Sequence, residues 1–169
     1  MELIKAPNDF LEKKVQPFDF ATMDAEKISK EMVEMMLKYK GVGLASNQVG
    51  IDAQIFVMGE ENPITVINPM VTEVGTEKIE MEEGCLSFPG LYMKVKRPAV
   101  VSVQYLDTKQ KECIIKLEGF HARVFLHEYD HLQGITFDQR VSKLRLDMAK
   151  KKQQKICLLY TSDAADEVV

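Results

Sequence analysis

The sequence has little that would mark a secreted, membrane-bound or nucleic-acid-binding protein. Its three cysteines, an odd number without close spacing, fit a reducing cytosol better than a disulfide scaffold. No apolar run approaches the roughly 18 residues of a membrane span, and the N-terminus lacks the shape of a signal peptide. The net charge of −4 argues against general nucleic-acid binding. We therefore expect a soluble cytoplasmic monomer with no membrane partner.

The length of 169 residues and the content of 46% hydrophobic and 28% charged residues are those of one globular domain. We assign this domain to residues 1–156. The last segment, residues 157–169, resembles translated adapter sequence from a sequencing library. We expect it to be a non-native, disordered tail.

The apolar pattern predicts a mixed architecture. A helix is expected at 24–39, with Ile28, Met32, Met35 and Met36 facing inward, and a polar helix at 142–156. Strands are expected at 54–58, 65–68, 70–75, 78–81, 99–106 and 112–117. These elements indicate an α+β fold in which an antiparallel sheet packs against a helix that follows the last strand.

That helix carries the most informative segment of the chain, His127-Glu128-Tyr129-Asp130-His131. Two of the three histidines lie here, four residues apart, and therefore on the same helix face. Two imidazole nitrogens aimed at one point, with a neighbouring carboxylate, indicate a metal hydrolase. A chance match and a solvated histidine pair are the alternatives.

The surroundings favour a metal site. Phe120 and Val124 precede the histidines at helical spacing, so the histidines continue an apolar stripe. A third ligand is not evident downstream, because Phe137 stands where some zinc peptidases have a third histidine. The ligand is therefore better sought upstream of the helix.

Two upstream segments contain candidate residues. Cys85 lies in Glu83-Gly84-Cys85-Leu86-Ser87, before a turn signal, and a bend there would present its thiol; an inert buried thiol is the alternative. The stretch from Gly41 to Gln48 has two glycines that allow close backbone approach to a ligand, and an ordinary helix stop is its alternative. Cys113 lies in a predicted strand, where we expect its thiol to be packed in the core.

Taken in order, these three segments resemble the motifs of the peptide deformylase family, G-x-G-x-A-A-x-Q, E-G-C-L-S and H-E-x-D-H. The second and third match in full, and the first departs at Ser46, where the family usually has alanine. The resemblance runs from about residue 5 to about residue 150. It implies the family's fold, with antiparallel sheets packed around a central metal-binding helix, and a catalytic domain over 1–156.

The resemblance also implies the reaction and the cofactor. The expected substrate is an N-formyl-methionyl peptide, hydrolysed to formate and a free N-terminus. The ligands of one divalent ion would be Cys85, His127 and His131. Fe²⁺ is the family's usual ion, and this donor set also suits Zn²⁺, Ni²⁺ or Co²⁺.

The other site residues follow from the same resemblance. Glu128 would be the general base. An oxyanion hole would be formed by the side-chain amide of Gln48 and the backbone N–H of Leu86. Val42 and Gly43 would bind the substrate backbone, and Val124 would form a wall of the pocket for the methionine side chain.

Glu83, the basic run over 142–155 and the overall function each have more than one interpretation. Glu83 could hydrogen-bond a group next to the site or form a plain surface salt bridge with Arg97. The basic run over 142–155 could contact the ribosome, as the resemblance implies, or be only a solvated helix face. The rival functions are a metallopeptidase that cuts internal peptide bonds and a structural zinc domain.

Overall fold

The computed structural model describes the backbone of residues 1–166 and the side chains of residues 1–159. Three α-helices are present: α1 Ala25–Lys38, α2 Gly119–Leu132 and α3 Lys143–Asp166. The strands are β1 Gly43–Ala45, β2 Ile55–Met58, β3 Ile64–Val74, β4 Lys78–Cys85, β5 Phe88–Pro98, β6 Val100–Leu106 and β7 Glu112–Glu118.

The strands form two antiparallel sheets. The larger has the order β1-β2-β3-β6-β7, and β4 pairs with β5 in a separate two-stranded sheet. The predicted strands at 65–68 and 70–75 are one strand, β3, whose register shifts between Ile67 and Met70. The α+β architecture is confirmed, whereas β1 and β5 were not predicted.

The first helix begins and ends as the sequence predicts. The Asp24 side chain accepts a hydrogen bond from the backbone N–H of Lys27 at 3.0 Å and so caps the N-terminus. Met32 and Met36 are fully buried on its inner face. At the other end, the N–H of Gly41 donates to the carbonyl of Met36, which closes the last turn.

Helix α2 lies between the two sheets and carries the paired histidines. Its residues Ala122, Phe125 and Leu132 are fully buried, and the ring of Phe125 meets that of Phe56 edge to face at 5.2 Å. Phe120 was expected on the buried stripe, but half of its surface is exposed. It lies in the first turn, beyond the edge of the core.

Helix α3 packs on the β4–β5 sheet along a narrow stripe that contains Leu146 and Ala149. The helix continues to Asp166, so residues 157–166 are helical where the sequence suggests disorder, and 167–169 lie outside the described residues. The non-native origin of this segment stays a prediction. In the described part of the chain, no helix is long and apolar enough to cross a membrane.

The two glycines at the ends of α2 differ in how closely other atoms pack around them. Gly119 and Gly134 both have positive φ, 56° and 75°. A Cβ at Gly134 would lie 2.5 Å from the carbonyl oxygen of Glu12, whereas a Cβ at Gly119 would have nothing within 4 Å. Gly119→Ala should therefore cost about 1 kcal/mol from backbone strain alone, and Gly134→Ala distinctly more. Urea unfolding measures both, and equal losses would contradict this packing.

Candidate active site

Three potential ligand atoms converge beside α2. The Cys85 thiol, at the end of β4, lies 3.3 Å from Nε2 of His131. Together with a nitrogen of His127, these atoms all lie within 4.8 Å of one another, so the three residues could hold a metal ion. The structure thus brings together residues up to 46 positions apart in the sequence, because β4 ends against the C-terminal half of α2.

The hydrogen bonds around the histidines fit a metal ion. Nδ1 of His127 lies 2.9 Å from Oε1 of Glu83, and a carboxylate can only accept, so Nδ1 carries the proton. In the neutral imidazole of His127, Nε2 then carries the lone pair that an ion would need. Burial lowers the pKa of His131, which favours the neutral form that a ligand needs. A thiolate and two neutral imidazoles suit a divalent transition metal.

Glu83 is the centre of a buried ionic cluster. Its two oxygens accept from Nε and Nη2 of Arg97, at 2.6 and 3.0 Å, and Oε2 also accepts from Arg123. Burial alone would raise the pKa of Glu83, but the hydrogen bonds from His127 and Arg97 outweigh it and lower this pKa to about 2. Glu83 and Arg97 are 6% and 4% exposed, so the expectation of a surface salt bridge between them is wrong and their ion pair is buried.

The cluster extends along α2 to Asp130. This carboxylate accepts from Arg97 at 2.8 Å and from Nε and Nη2 of Arg140 at 2.9 and 2.6 Å. Arg123, Asp130 and Arg140 were not predicted as part of the site. Only the position of Asp130 inside the histidine segment hinted at its role, because the partners come from distant parts of the chain.

Glu128 lies in the cavity with the ligand atoms. It is 4% exposed, and in the described structure its Oε2 has no hydrogen-bond partner. Burial raises the pKa of Glu128 to about 7. A Cβ on Gly43 would lie 2.5 Å from Oε1 of Glu128, so any side chain at this position would displace that carboxylate. Glu128 is therefore a buried carboxylate that can exchange a proton near neutral pH.

Gln48 presents its amide to the same place. Its Oε1 accepts from the backbone N–H of Ala45 at 2.9 Å, which fixes the orientation of the amide. Its Nε2 lies 3.5 Å from the sulfur of Cys85 and donates to Oγ of Ser87 at 3.1 Å. Gly41 does end helix α1, as the alternative interpretation of the segment 41–48 proposed. The same segment also places Gln48 in the site.

Two neighbours of Gln48 connect the short 3-10 helix Ser46–Val49, which carries all three residues, to other elements. Ser46, the departure from the family motif, is buried and donates to the carbonyl of Ala53 at 2.5 Å. Nδ2 of Asn47 donates to the carbonyl of His131 at 2.6 Å. The Asn47 bond thus links the turn that carries Gln48 to the end of α2, and the Ser46 bond links it to the segment before β2.

The N-terminal segment also holds the site together. The N–H of Ile4 donates to the carbonyl of Gln48 at 2.7 Å, and the N–H of Ala6 donates to that of Ser87 at 2.8 Å. The segment thus spans the two places where the expected oxyanion donors lie. No sequence pattern predicts this contact, because backbone hydrogen bonds do not depend on particular side chains.

One cavity of about 500 Å³ opens over these residues. Of the predicted site residues, those that line it are Val42, Gly43, Gln48, Cys85, Leu86, Val124, His127 and Glu128. His131 lies behind its floor and is 1% exposed. All the predicted residues are therefore grouped at one place in the fold.

Strand β1 forms one wall of the cavity and is an edge strand. The carbonyl of Val42 accepts from Gly59 on the β2 side, and the N–H of Ala45 points to Gln48 on the other. Because backbone groups alternate along a strand, the N–H and carbonyl of Gly43 face the open edge. An extended peptide can add to this edge.

Phe137 occupies the position where some peptidases have a third histidine. It is 1% exposed, and its ring centroid lies 5.6 Å from that of His127. It packs against the imidazole and cannot ligate. In the described structure, the only group of three or more potential ligands is Cys85, His127 and His131.

An α+β fold with a thiol, two imidazoles and a buried carboxylate in one cavity defines the class of metal-dependent hydrolases. The family model for polypeptide deformylase matches residues 1–147. The chain belongs to the polypeptide deformylase family.

Relatives at moderate identity support this assignment. The peptide deformylase of Thermotoga petrophila is 41% identical over 143 residues, which cover 84% of this chain and 87% of that protein. That of Aquifex aeolicus is 38% identical over 162 residues, covering 92% and 95%. The crystal structure of a peptide deformylase from Synechococcus elongatus in complex with actinonin is similar at a TM-score of 0.85 and 32% identity, covering 90% of this chain and 85% of that one.

The buried cluster yields a stability prediction. Glu83→Gln leaves the buried Arg97 and Arg123 without their shared anion, and we expect a loss of about 3 kcal/mol. Glu80→Gln is the matched control, because Glu80 pairs with Arg145 at the surface, and this substitution should leave the free energy of unfolding nearly unchanged. Guanidinium unfolding of both variants measures the difference. Similar small losses would show that Glu83 does not hold the cluster together.

Proposed function

We propose that this protein hydrolyses the formamide bond at N-formyl-methionyl termini of nascent polypeptides and releases formate. One observation carries the proposal: a Cys–His–His group that could hold a metal ion, a buried carboxylate and a fixed amide donor meet at a single cavity beside an open strand edge. These are the groups that hydrolysis of an amide next to an extended peptide requires.

Cys85, His127 and His131 would hold one divalent ion. When bound, this ion supplies Lewis-acid activation of water and of the formyl carbonyl. Glu83 keeps the imidazole of His127 in the tautomer and orientation that ligation needs. Arg97 and Arg123 in turn hold Glu83 in place.

Glu128 is the general acid–base in this proposal. Its carboxylate takes a proton from the attacking water as the oxygen of that water bonds to the formyl carbon. The carbon–nitrogen bond then breaks, and Glu128 returns the proton to the leaving amine. The products are formate and a peptide with a free N-terminal methionine.

The negative charge that develops on the formyl oxygen needs hydrogen-bond donors. We assign this role to Nε2 of Gln48 and the backbone N–H of Leu86. The backbone carbonyl of Gln48 accepts from the N–H of Ile4, and its side-chain Oε1 accepts from the N–H of Ala45. The Nε2 donor is therefore preorganised. Removing one such donor costs about 3–4 kcal/mol in other enzymes.

The substrate backbone would add to the open edge of β1. The backbone groups of Gly43 would pair with it, with Val42 beside it. Val124 lies on α2 one turn before His127 and lines the cavity, so it would contact the methionine side chain. Main-chain pairing would make binding tolerant of the sequence beyond the methionine.

We propose Fe²⁺ as the ion in the cell, as is usual in the family. The thiolate and imidazole donors also accept Zn²⁺, Ni²⁺ and Co²⁺. We further propose that the protein acts in the cytoplasm as a monomer. The exposed basic face of α3, within 142–155, would contact ribosomal RNA near the emerging substrate.

A formate-release assay tests the proposed reaction. The protein should release formate from formyl-Met-Ala-Ser and leave the unformylated peptide Met-Ala-Ser intact. Glu128→Gln should lower kcat at least 100-fold while the metal content stays unchanged, because the proton acceptor is lost and the ligands are kept. Glu118→Gln, an exposed residue at the start of α2, is the control and should keep full activity.

The rival functions give different outcomes. A metallopeptidase would cleave internal bonds of the unformylated peptide. A structural zinc domain would release no formate, and Glu128→Gln would change nothing measurable.

The three-ligand assignment predicts a selective loss of metal. Cys85→Ser should lower bound metal and formate release by more than 10-fold, because a neutral hydroxyl is a far poorer ligand than a thiolate. Cys113→Ser is the control, since Cys113 lies in β7 away from the cavity. Metal content is measured by plasma mass spectrometry after gel filtration. Equal metal retention in both variants would remove Cys85 from the site.

A further inference from the structure

Lys40 stands in an unusual backbone conformation at the mouth of the cavity. Its φ is 57°, in the left-handed region, directly after α1. Glycine is the residue that normally occupies such a position at a helix end. A non-glycine residue in this conformation is strained, and such residues cluster at ligand-binding sites.

The ammonium groups at the cavity mouth are available to a ligand. Lys40 and Lys5 both line the cavity and are exposed. In the described structure, neither forms a side-chain hydrogen bond or an ion pair. Glu82 is the exposed acidic residue of the same lining, whereas Glu83 and Glu128 are buried deeper. The rim therefore carries two positive charges against one negative charge.

The site geometry sets the direction of the substrate along this rim. The amide of Gln48 is held at Ala45, the last residue of β1, and lies 3.5 Å from the sulfur of Cys85, so under the proposed function the formyl group would lie at this end of the strand. A peptide that starts at that end and follows the open edge of β1 runs antiparallel to it. Its later residues therefore pass Val42, then Gly41, and then Lys40.

We propose that Lys40, supported by Lys5, selects formyl peptides with an acidic side chain at the third or fourth residue. This inference rests on the proposed function, since it concerns the same substrate. The methionine and the formyl group are bound in the interior of the cavity. The lysines act outside it, where the side chains of the following residues emerge into water.

Peptide series test this specificity. The substrates are formyl-Met-Ala-Ser-Ser and its variants with Glu or Lys at the third or fourth position, compared by kcat/KM at low salt. The Glu peptides should be preferred over the Ser peptide by up to about fivefold, as for an exposed ion pair, and the Lys peptides should be disfavoured. The preference should vanish at about 1 M salt, where charges are screened beyond about 3 Å.

Variants of Lys40 assign the effect to this residue. Lys40→Met should remove most of the preference through KM, with kcat on the Ser peptide unchanged. Lys38→Met is the control: Lys38 is exposed two residues earlier but does not line the cavity, so the preference should stay. Lys40→Gly should also lose the preference while the melting temperature rises, because glycine relieves the positive φ.

The outcomes are distinct. A preference that survives in Lys40→Met and Lys40→Gly would overturn the inference and leave Lys40 a helix-end residue only. Equal rates for all the peptides in the unaltered protein would also overturn it, while leaving the proposed function intact. No formate from even the Ser peptide would overturn both.

Discussion

The carboxylate of Glu83 accepts hydrogen bonds from Arg97, Arg123 and His127, which lie on β5 and α2. Taking a carboxylate and two guanidinium groups out of water is costly, and only mutual pairing offsets that cost. The pairing joins the two-stranded sheet to the helix and orients the first imidazole of the triad. The same bonds thus place β4, with Cys85 at its end, against the histidines, and the site depends on them.

A second set of contacts comes from polar side chains in the turn that precedes β2. Asn47 hydrogen-bonds to the end of α2, and Gln48 hydrogen-bonds to Ser87, just after β4. The N-terminal segment binds the same two places, with Ile4 at Gln48 and Ala6 at Ser87. Buried polar groups that are paired in this way fix one arrangement of the backbone. The proposed donor and the proposed ligands are thereby held at set positions before any substrate arrives.

The sequence was sufficient for the parts of the site that are local. Helical spacing aligned His127 with His131, and the three motifs in order indicated Cys85 and Gln48 by resemblance. It was insufficient for Arg123, whose partners on other elements depend on how the sheets pack. Strand β1 was missed because three residues carry no period, and β5 was missed although its exposed and buried residues alternate. Pairing between distant segments is a property of the fold and leaves little local signal.

X-ray absorption spectroscopy of the zinc-loaded protein tests whether one thiolate and two imidazoles from distant segments share one ion. We expect one sulfur at about 2.3 Å, two imidazole nitrogens at about 2.0–2.1 Å and one further light atom from solvent. A first shell without sulfur, or one with two sulfurs, would contradict this expectation.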